Sequence, residues 1–339
     1  MSTFPLQIGT DGSDDLRAQQ ARHWAQTALG HPFERFAPAS ADASFRRYFR
    51  GEARERSWIV MDAPPQHEDC EPFVRIAGLL DAAGLNVPAV LAQDLEHGFL
   101  LLSDLGTRTL LDVLDEENAD ALMGAAIDAL IRWQRASRPE VLPEYDDVLL
   151  RRELALFPDW YLQRHLGLTL SGPQHEAWNG IVESLVAAAL AQPRVFVHRD
   201  YMPRNLMLSE PMPGVLDFQD AVYGPIAYDV ISLFKDAFHS WPAARVDAWI
   251  SRYWHAAKAA GLPVNDDEAA FRRDCDWIGL QRHLKILGIF ARLSLRDGKP
   301  KYLADTPRFV RYVVDVAARY PEFAALSELF ERQILPRPA

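Results

Sequence analysis

Lysine is nearly missing from this 339-residue chain. Only five occur, Lys235, Lys258, Lys285, Lys299 and Lys301, so the first 234 residues have none. Any anion met by that stretch must rely on arginine for its cation, a planar fork of donors rather than a point charge. Cysteine is also scarce. Cys70 and Cys275 lie too far apart in sequence for metal-ligand spacing or a disulfide framework, which fits a reducing compartment such as the cytoplasm. The start, MSTFPLQIGTDGSDD, lacks the basic segment and apolar stretch of a signal peptide, and no apolar run is long enough to cross a bilayer, so no membrane partner is expected. A formal net charge of −11 argues against a nucleic-acid partner, which requires a basic face. The chain contains no G-x-x-x-x-G-K, and no two of its glycines stand two apart, which excludes Walker-type and Rossmann phosphate loops. What remains is an ordinary soluble globular composition, 49% hydrophobic and 24% charged, with a length that suggests two lobes.

The first hundred residues read as a small mixed lobe. A helix is predicted from Asp15 to Leu29. Three short strands follow at 33–37, 45–50 and 57–61, with turns at Pro38-Ala-Ser and Gly51-Glu. A helix from Pro72 to Ala83 stops at Gly84. Two further strands, 89–93 and 99–103, turn at Glu96-His-Gly. A hinge is expected near Ser103 to Gly106, which divides the chain into 1–103 and 104–339. Beyond it helical patterns dominate: 118–137, 147–165, 173–192, and from Ala227 to the end. Very short strands at 195–197, 206–208 and 215–216 interrupt them. The fold class is α+β, with a five-stranded antiparallel sheet and an inserted helix in the small lobe and a large, mostly helical second lobe.

Those short strands hold the segment that carries chemistry, VFVHRDYMPRNLML. Asp200 and Asn205 stand five residues apart on a loop. A hairpin turned by Pro213-Gly214 brings VLDFQD, with Asp217, back towards them. Phosphoryl transfer needs such a set: one carboxylate to orient a hydroxyl and accept its proton, then a carboxylate and an amide oxygen for magnesium on the nucleotide phosphates. Each residue alone means little, since an aspartate at a strand end is commonly a turn former. The ordered set between short strands is the signal.

His198-Arg199-Asp200, four residues, Asn205, then Asp217-Phe218 resembles the catalytic and metal loops of the protein-kinase-like superfamily. The continuation LDFQDAVYGPIAYDV is similar to its aminoglycoside phosphotransferase and choline kinase branch. The resemblance implies Asp200 as catalytic base, Asn205 and Asp217 as Mg2+ ligands, His198 as loop support, and Asp229 as further support from a helix start. Helix capping is the alternative for Asp229. It also implies ATP as co-substrate. The nucleotide-covering hairpin would be Ala41-Asp42-Ala43-Ser44-Phe45-Arg46-Arg47-Tyr48, in which Ala41, Ala43 and Arg46 stand where the family has glycines; a plain hairpin tip is the alternative. The family's third-strand lysine is absent, which leaves Arg46 as the favoured phosphate-side cation, with Arg50 and Arg47 as alternatives. Alternation puts Arg46 and Arg50 on one strand face and Arg47 on the other. Glu68 or Glu71 is a candidate partner. The backbone of Leu102, Ser103 and Asp104 is expected at the adenine edge.

The acceptor should lie against the helical lobe. In CDWIGLQRHLKILGIFARLSLRDGK, Gln281, Lys285, Gly288 and Arg292 share a helical stripe, with Arg282 and His283 beside it. A solvated helix face is the plain alternative for that stripe, and a packed helix histidine for His283. Gln281, Arg282, Lys285 and Arg204 are the candidate substrate residues. Arg204 fits either a sugar or a phosphate. A basic, hydrogen-bonding acceptor site suits a neutral or carboxylate-bearing sugar better than a cationic drug or choline. SADASFRRYFRG and GLQRHLKILGIFARL, with the catalytic segment, resemble the anomeric kinases of N-acetylmuramate and N-acetylglucosamine in Gram-negative wall recycling. That resemblance implies a small-molecule sugar partner and a sugar 1-phosphate product; a monomer is expected. The runners-up are another small-molecule kinase of the same fold and a nucleotide-binding scaffold, the latter suggested only by the missing lysine.

Overall fold

The computed structural model describes residues 15–41 and 45–336. By contact the chain forms two compact units: Met1–Arg108 with Met207–Gln219, and Thr109–Leu206 with Asp220–Ala339. The sequence suggested a single cut after residue 103. In the structure the hairpin carrying Asp217 groups with the first unit, because Leu208 N donates to Arg108 O, Val215 N donates to Asn86 O, and the Asn86 amide donates to Ser209 Oγ and Pro211 O.

The first unit is an antiparallel sheet of five strands: β1 (Arg35–Ala41), β2 (Arg47–Ala53), β3 (Arg56–Asp62), β4 (Val90–Asp94) and β5 (Phe99–Ser103). They are ordered β1-β2-β3-β5-β4. Helix α1 (Leu16–Leu29) is capped by the Asp15 side chain, which accepts from Ala18 N. Its Ala18, Ala21 and Ala25 pack with Phe33, Phe49, Val60, Phe99 and Leu101 into one apolar cluster. Small side chains there allow the helix to lie close to the strands. Helix α2 (Glu71–Ala82) buries Phe73, Ile76, Ala77 and Leu80, an i, i+3, i+4, i+7 stripe.

The predicted turns are displaced. Pro38 lies inside β1, an edge strand whose register shifts between Pro38 and Ser40, where proline is tolerated. Gly51 lies inside β2, because a Cβ there would sit 2.5 Å from the Phe33 ring. The β2–β3 turn is made by Arg54 and Glu55, with φ of 52° and 62°. Such a turn usually announces itself with Asn-Gly, and Arg-Glu gives no such signal. The predicted hairpin tip at 42–44, Ser44 included, lies outside the described residues.

The second unit is mainly helical: α3 (Ala119–Arg135), α4 (Asp147–Leu154) continued by a π-helical turn (Phe157–His165), α5 (Gly172–Ala191), α6 (Tyr228–Phe234), α7 (Ala243–Ala259), α8 (Glu268–Leu295), α9 (Thr306–Ala317) and α10 (Ala324–Leu329). The middle of α8 is buried on all sides and packs against α4, the π-helical turn, α5, α6, α7 and α9. Strand β6 (Arg194–Val197) pairs with β9 (Val222–Pro225), a strand absent from the sequence expectation. In the hairpin that groups with the first unit, the two-residue strands β7 (Leu206–Met207) and β8 (Gly214–Val215) pair. No helix among the described residues is long and apolar enough to cross a membrane.

Candidate active site

The catalytic segment leaves β6 and bends at once. Arg199 has φ 76°, in the left-handed region that costs a side-chain-bearing residue roughly 1–2 kcal/mol. Two anchors hold the bend from the main-chain side. The Asp229 carboxylate, at the start of α6, accepts from His198 N at 2.6 Å and from Arg199 N at 2.9 Å. Burial pushes the Asp229 carboxyl up to about 7, against the pull of those two N–H donors. The buried His198 ring accepts the Asp200 N–H through Nδ1 at 3.3 Å and lies edge-on to Tyr201 at 5.6 Å. Tyr201 in turn donates to Ala126 O of α3 at 2.8 Å. The Asn205 amide reaches back from a single 3-10 turn (Pro203–Asn205) and donates to Asp200 O at 2.9 Å. The predicted base is therefore set in a loop fixed on several sides, which is what positional catalysis requires.

Below that loop lies a buried charge cluster. Glu153, on α4, accepts four donors: Arg199 Nη2 at 2.6 Å and Lys285 Nζ at 3.1 Å on Oε1, the Tyr145 hydroxyl and Gln281 Nε2 on Oε2. Burial pushes the Glu153 carboxyl up, but Lys285 and Arg199 outweigh it and bring it down to about 2. Lys285 also donates to the Tyr228 hydroxyl at 2.9 Å. Gln281 and Lys285, expected at a substrate surface, are thus occupied inside the unit. Gly288, on the same stripe, is a packing position: a Cβ would stand 2.3 Å from Leu156 O. Over Gln281, Lys285 and Gly288 the stripe is buried and not a solvated helix face, while Arg292 at its end is half-buried; i, i+4 spacing marks a shared face without telling what covers it. Glu153 and Tyr145 are the residues sequence reading missed. A buried-charge hub assembled from separate helices leaves no local spacing to find.

The other basic candidates are placed as follows. Arg282 is only 2% exposed, and its Nη1 has no hydrogen-bond partner among the described residues. Its charge lies within reach of Asp229 and Asp236. Arg204 lies over the Phe238 ring at 5.3 Å. His283 is buried between Phe309 and Tyr312, and burial lowers its pKa well below the usual range.

In the first unit, Asp217 follows β8 with φ 62°, and its Oδ1 accepts from Gln219 Nε2 at 2.9 Å. Phe218 is fully buried against Phe73 of α2, ring centroids 4.8 Å apart, which fixes the segment to that helix. At the hairpin, Arg46 pairs with Glu68 at 2.9 Å, both side chains about one-eighth exposed. Phe45 N donates to Glu68 Oε1 at 3.2 Å, and the exposed Phe45 ring stacks on His67 at 4.4 Å. Arg47 and Arg50 do occupy opposite faces of β2. Arg47 goes to Asp62 and Asp15. Arg50 makes a fork on Asp104, at 2.5 and 3.0 Å, and donates to Gly106 O at 2.7 Å. Burial would raise the Asp104 carboxyl, but the Arg50 fork and the Gly106 N–H hold it below the usual range. Ser103 Oγ accepts from Ala89 N, and Leu102 stands in the strand ladder between Ile59 and Val90. The side chains of Arg50, Ser103 and Asp104 are thus engaged in the unit itself.

Magnesium is held by few protein oxygens plus phosphates and water, so the donor set can be judged locally. Among the described residues no three His, Cys, Asp or Glu side chains gather as a metal group, and the expected pair does not depend on one. The Asn205 amide nitrogen donates to Asp200 O, and an amide oxygen is the kind of hard donor that suits such a cation. The Asp217 carboxylate, which accepts from Gln219 Nε2, is a hard anionic donor. Both residues fit a hard divalent ion.

A five-stranded sheet with an inserted helix, joined to a helical unit that carries an His-Arg-Asp loop, defines a phosphotransferase of the protein-kinase-like fold. The chain belongs to the phosphotransferase enzyme family, whose profile matches residues 35–270. It is 58% identical over 327 residues to the N-acetylmuramate/N-acetylglucosamine kinase of Pseudomonas aeruginosa, covering 94% of this chain and 97% of that one. To the kinase of the same name from Pseudomonas putida it is 54% identical, covering 93% and 96%. Among solved structures, the streptomycin-ATP-APH(2")-IIa ternary complex superposes with a TM-score of 0.59 at 16% identity, over 89% of this chain and 97% of the other. That likeness concerns the fold.

Proposed function

We propose that this protein transfers the γ-phosphate of ATP to the anomeric C1 hydroxyl of N-acetylmuramate or N-acetylglucosamine, giving the sugar 1-phosphate for cell-wall recycling. The names of the relatives that match it over most of their length support the substrate. The observation that carries the chemistry is the fixed loop around Asp200, with Asp229 on the two preceding N–H groups and Asn205 on its carbonyl.

Asp200 accepts the proton of the C1 hydroxyl as its oxygen bonds to the γ-phosphorus, and the bond to the β–γ bridging oxygen breaks to release ADP. An anomeric hydroxyl is more acidic than an ordinary alcohol, so one positioned carboxylate is a sufficient base. Asn205 and Asp217 would hold Mg2+, which when bound would offset charge on the phosphate oxygens. Arg46, anchored by Glu68 beside Phe45, takes the part of the missing lysine on the phosphate side, with Ser44 and Phe45 the proposed nucleotide-covering residues. The backbone from Leu102 to Asp104 meets the adenine, and the Arg50–Asp104 fork stiffens it. Arg204 or Arg282 would meet the lactyl carboxylate of N-acetylmuramate. Gln281 and Lys285 support the loop instead.

The test is phosphate transfer from ATP with Mg2+ to N-acetylmuramate, N-acetylglucosamine, choline and aminoglycosides, with the product examined by phosphorus NMR. The expected product shows phosphorus coupled to the anomeric proton. Phosphate at C6, or transfer confined to choline or a drug, would refute the reading.

A further inference from the structure

The Glu153 cluster is an expensive thing to bury. Two cations, Arg199 and Lys285, and one carboxylate share a site where Glu153 is 5% and Lys285 7% exposed. An apolar cluster of the same volume would hold the fold at no greater cost. One of the two cations belongs to the residue immediately before Asp200. That residue stands at φ 76°, where glycine would be at ease and arginine is not. A side chain kept at a strained position is explained if it does something there. The Arg199 guanidinium is gripped by Glu153 at 2.6 Å, by Asp220 O at 3.4 Å, and by the Tyr145 ring at 5.8 Å. Glu153 cannot turn away, because Lys285, Gln281 and Tyr145 occupy its remaining acceptor positions.

We propose that Glu153 is a positioning residue for phosphoryl transfer, clamping Arg199 from the side-chain side while Asp229 clamps it from the main-chain side, so that the Asp200 carboxylate is aimed. The proposal rests on Asp200 being the base. Gln281 and Lys285 act through Glu153 and keep its carboxylate from rotating.

The experiment compares Glu153→Gln, Arg199→Gly and their combination, each normalised to folded protein by circular dichroism and thermal unfolding. Glu153→Gln should lower kcat about 10- to 100-fold, the scale of a small misplacement of a catalytic group. KM for ATP and for the sugar should stay within about twofold of wild type. Arg199→Gly should do the same although its backbone is now relaxed, and added guanidinium should restore part of its kcat, since the Arg199 side chain is 19% exposed. The double variant should be no worse than the poorer single. If Glu153→Gln does not fold, Arg199→Gly with guanidinium carries the test alone. Normal kcat with only a lower unfolding temperature would make the cluster simple packing and overturn the proposal. A raised sugar KM at constant kcat, or multiplied losses in the double variant, would overturn it as well. Failure of the underlying reading shows separately, as near-normal turnover in Asp200→Asn.

Discussion

Removing Glu68 tests whether an arginine stands in for the absent lysine. The carboxylate holds Arg46 at 2.9 Å and also accepts Phe45 N at 3.2 Å, so it fixes both the cation and the chain beside it. Both side chains of the pair are mostly buried, 12% and 13% exposed, and water therefore screens them little. A hydrogen bond to a charged group is worth about 1.5–3 kcal/mol. At about 1.4 kcal/mol per tenfold, full transmission to bound ATP corresponds to a roughly 10- to 100-fold change. Glu68→Ala should raise KM for ATP about tenfold and leave KM for the sugar within about twofold. Glu68→Gln, which keeps an acceptor for Phe45 N, should fall between. Initial rates with one substrate varied against a saturating second would give both constants. Arg46→Ala should match Glu68→Ala, and the double variant should be no worse than either. Parallel rises in both KM values, or an unchanged KM for ATP, would refute the assignment and leave the pair as a structural clasp of the hairpin.

Asp200→Asn should lower kcat by about 10²–10⁴-fold, the usual worth of a positioned proton acceptor; single-turnover rates measure it, and near-normal transfer would remove Asp200 from that role. Asp217→Ala should abolish Mg2+-dependent transfer, and an unchanged metal titration of activity would count against it. Gly288→Ala places a methyl 2.3 Å from a backbone oxygen of Leu156, an overpacking cost of about 1–3 kcal/mol that should exceed the ~1 kcal/mol helix gain; the urea midpoint should fall, and a raised midpoint would contradict the packing described. Glu153, with an ordinary value of 4.5 and a folded value near 2, stabilises the fold above about pH 4.5 and loses that contribution as pH falls towards 2, because the unfolded chain takes up the proton first. The slope of stability against pH in that window should flatten in Glu153→Gln, and an unchanged slope would show that other carboxylates dominate acid unfolding.

Much of the architecture was legible because it rests on local periodicity. The α2 stripe, the apolar strands β3 and β5, and the long helices repeat at the spacing their burial demands. The turns were harder. Pro38 and Gly51 read as punctuation, yet the edge position of one and the Phe33 ring beside the other let both sit in strands. The Arg54-Glu55 turn carries no turn residue at all. Within the site, loop support by His198 and Asp229 was implied only by the family resemblance, with helix capping as the alternative for Asp229, and the structure gives both residues hydrogen bonds to that loop. The Gln281–Lys285 stripe could not be interpreted, since whether a polar helix face meets solvent, ligand or a buried glutamate depends on a partner 128 residues away.

The lysine-free stretch has a practical side. Amine-directed reagents, acylating nucleotide analogues among them, find no ε-amino group before Lys235, just past the end of α6. Labelling profiles that count on a reactive lysine in the first unit would find none there. A lysine-specific protease, for the same reason, would release residues 1–235 as one uncut piece bearing Arg46, Asp200, Asn205 and Asp217 together.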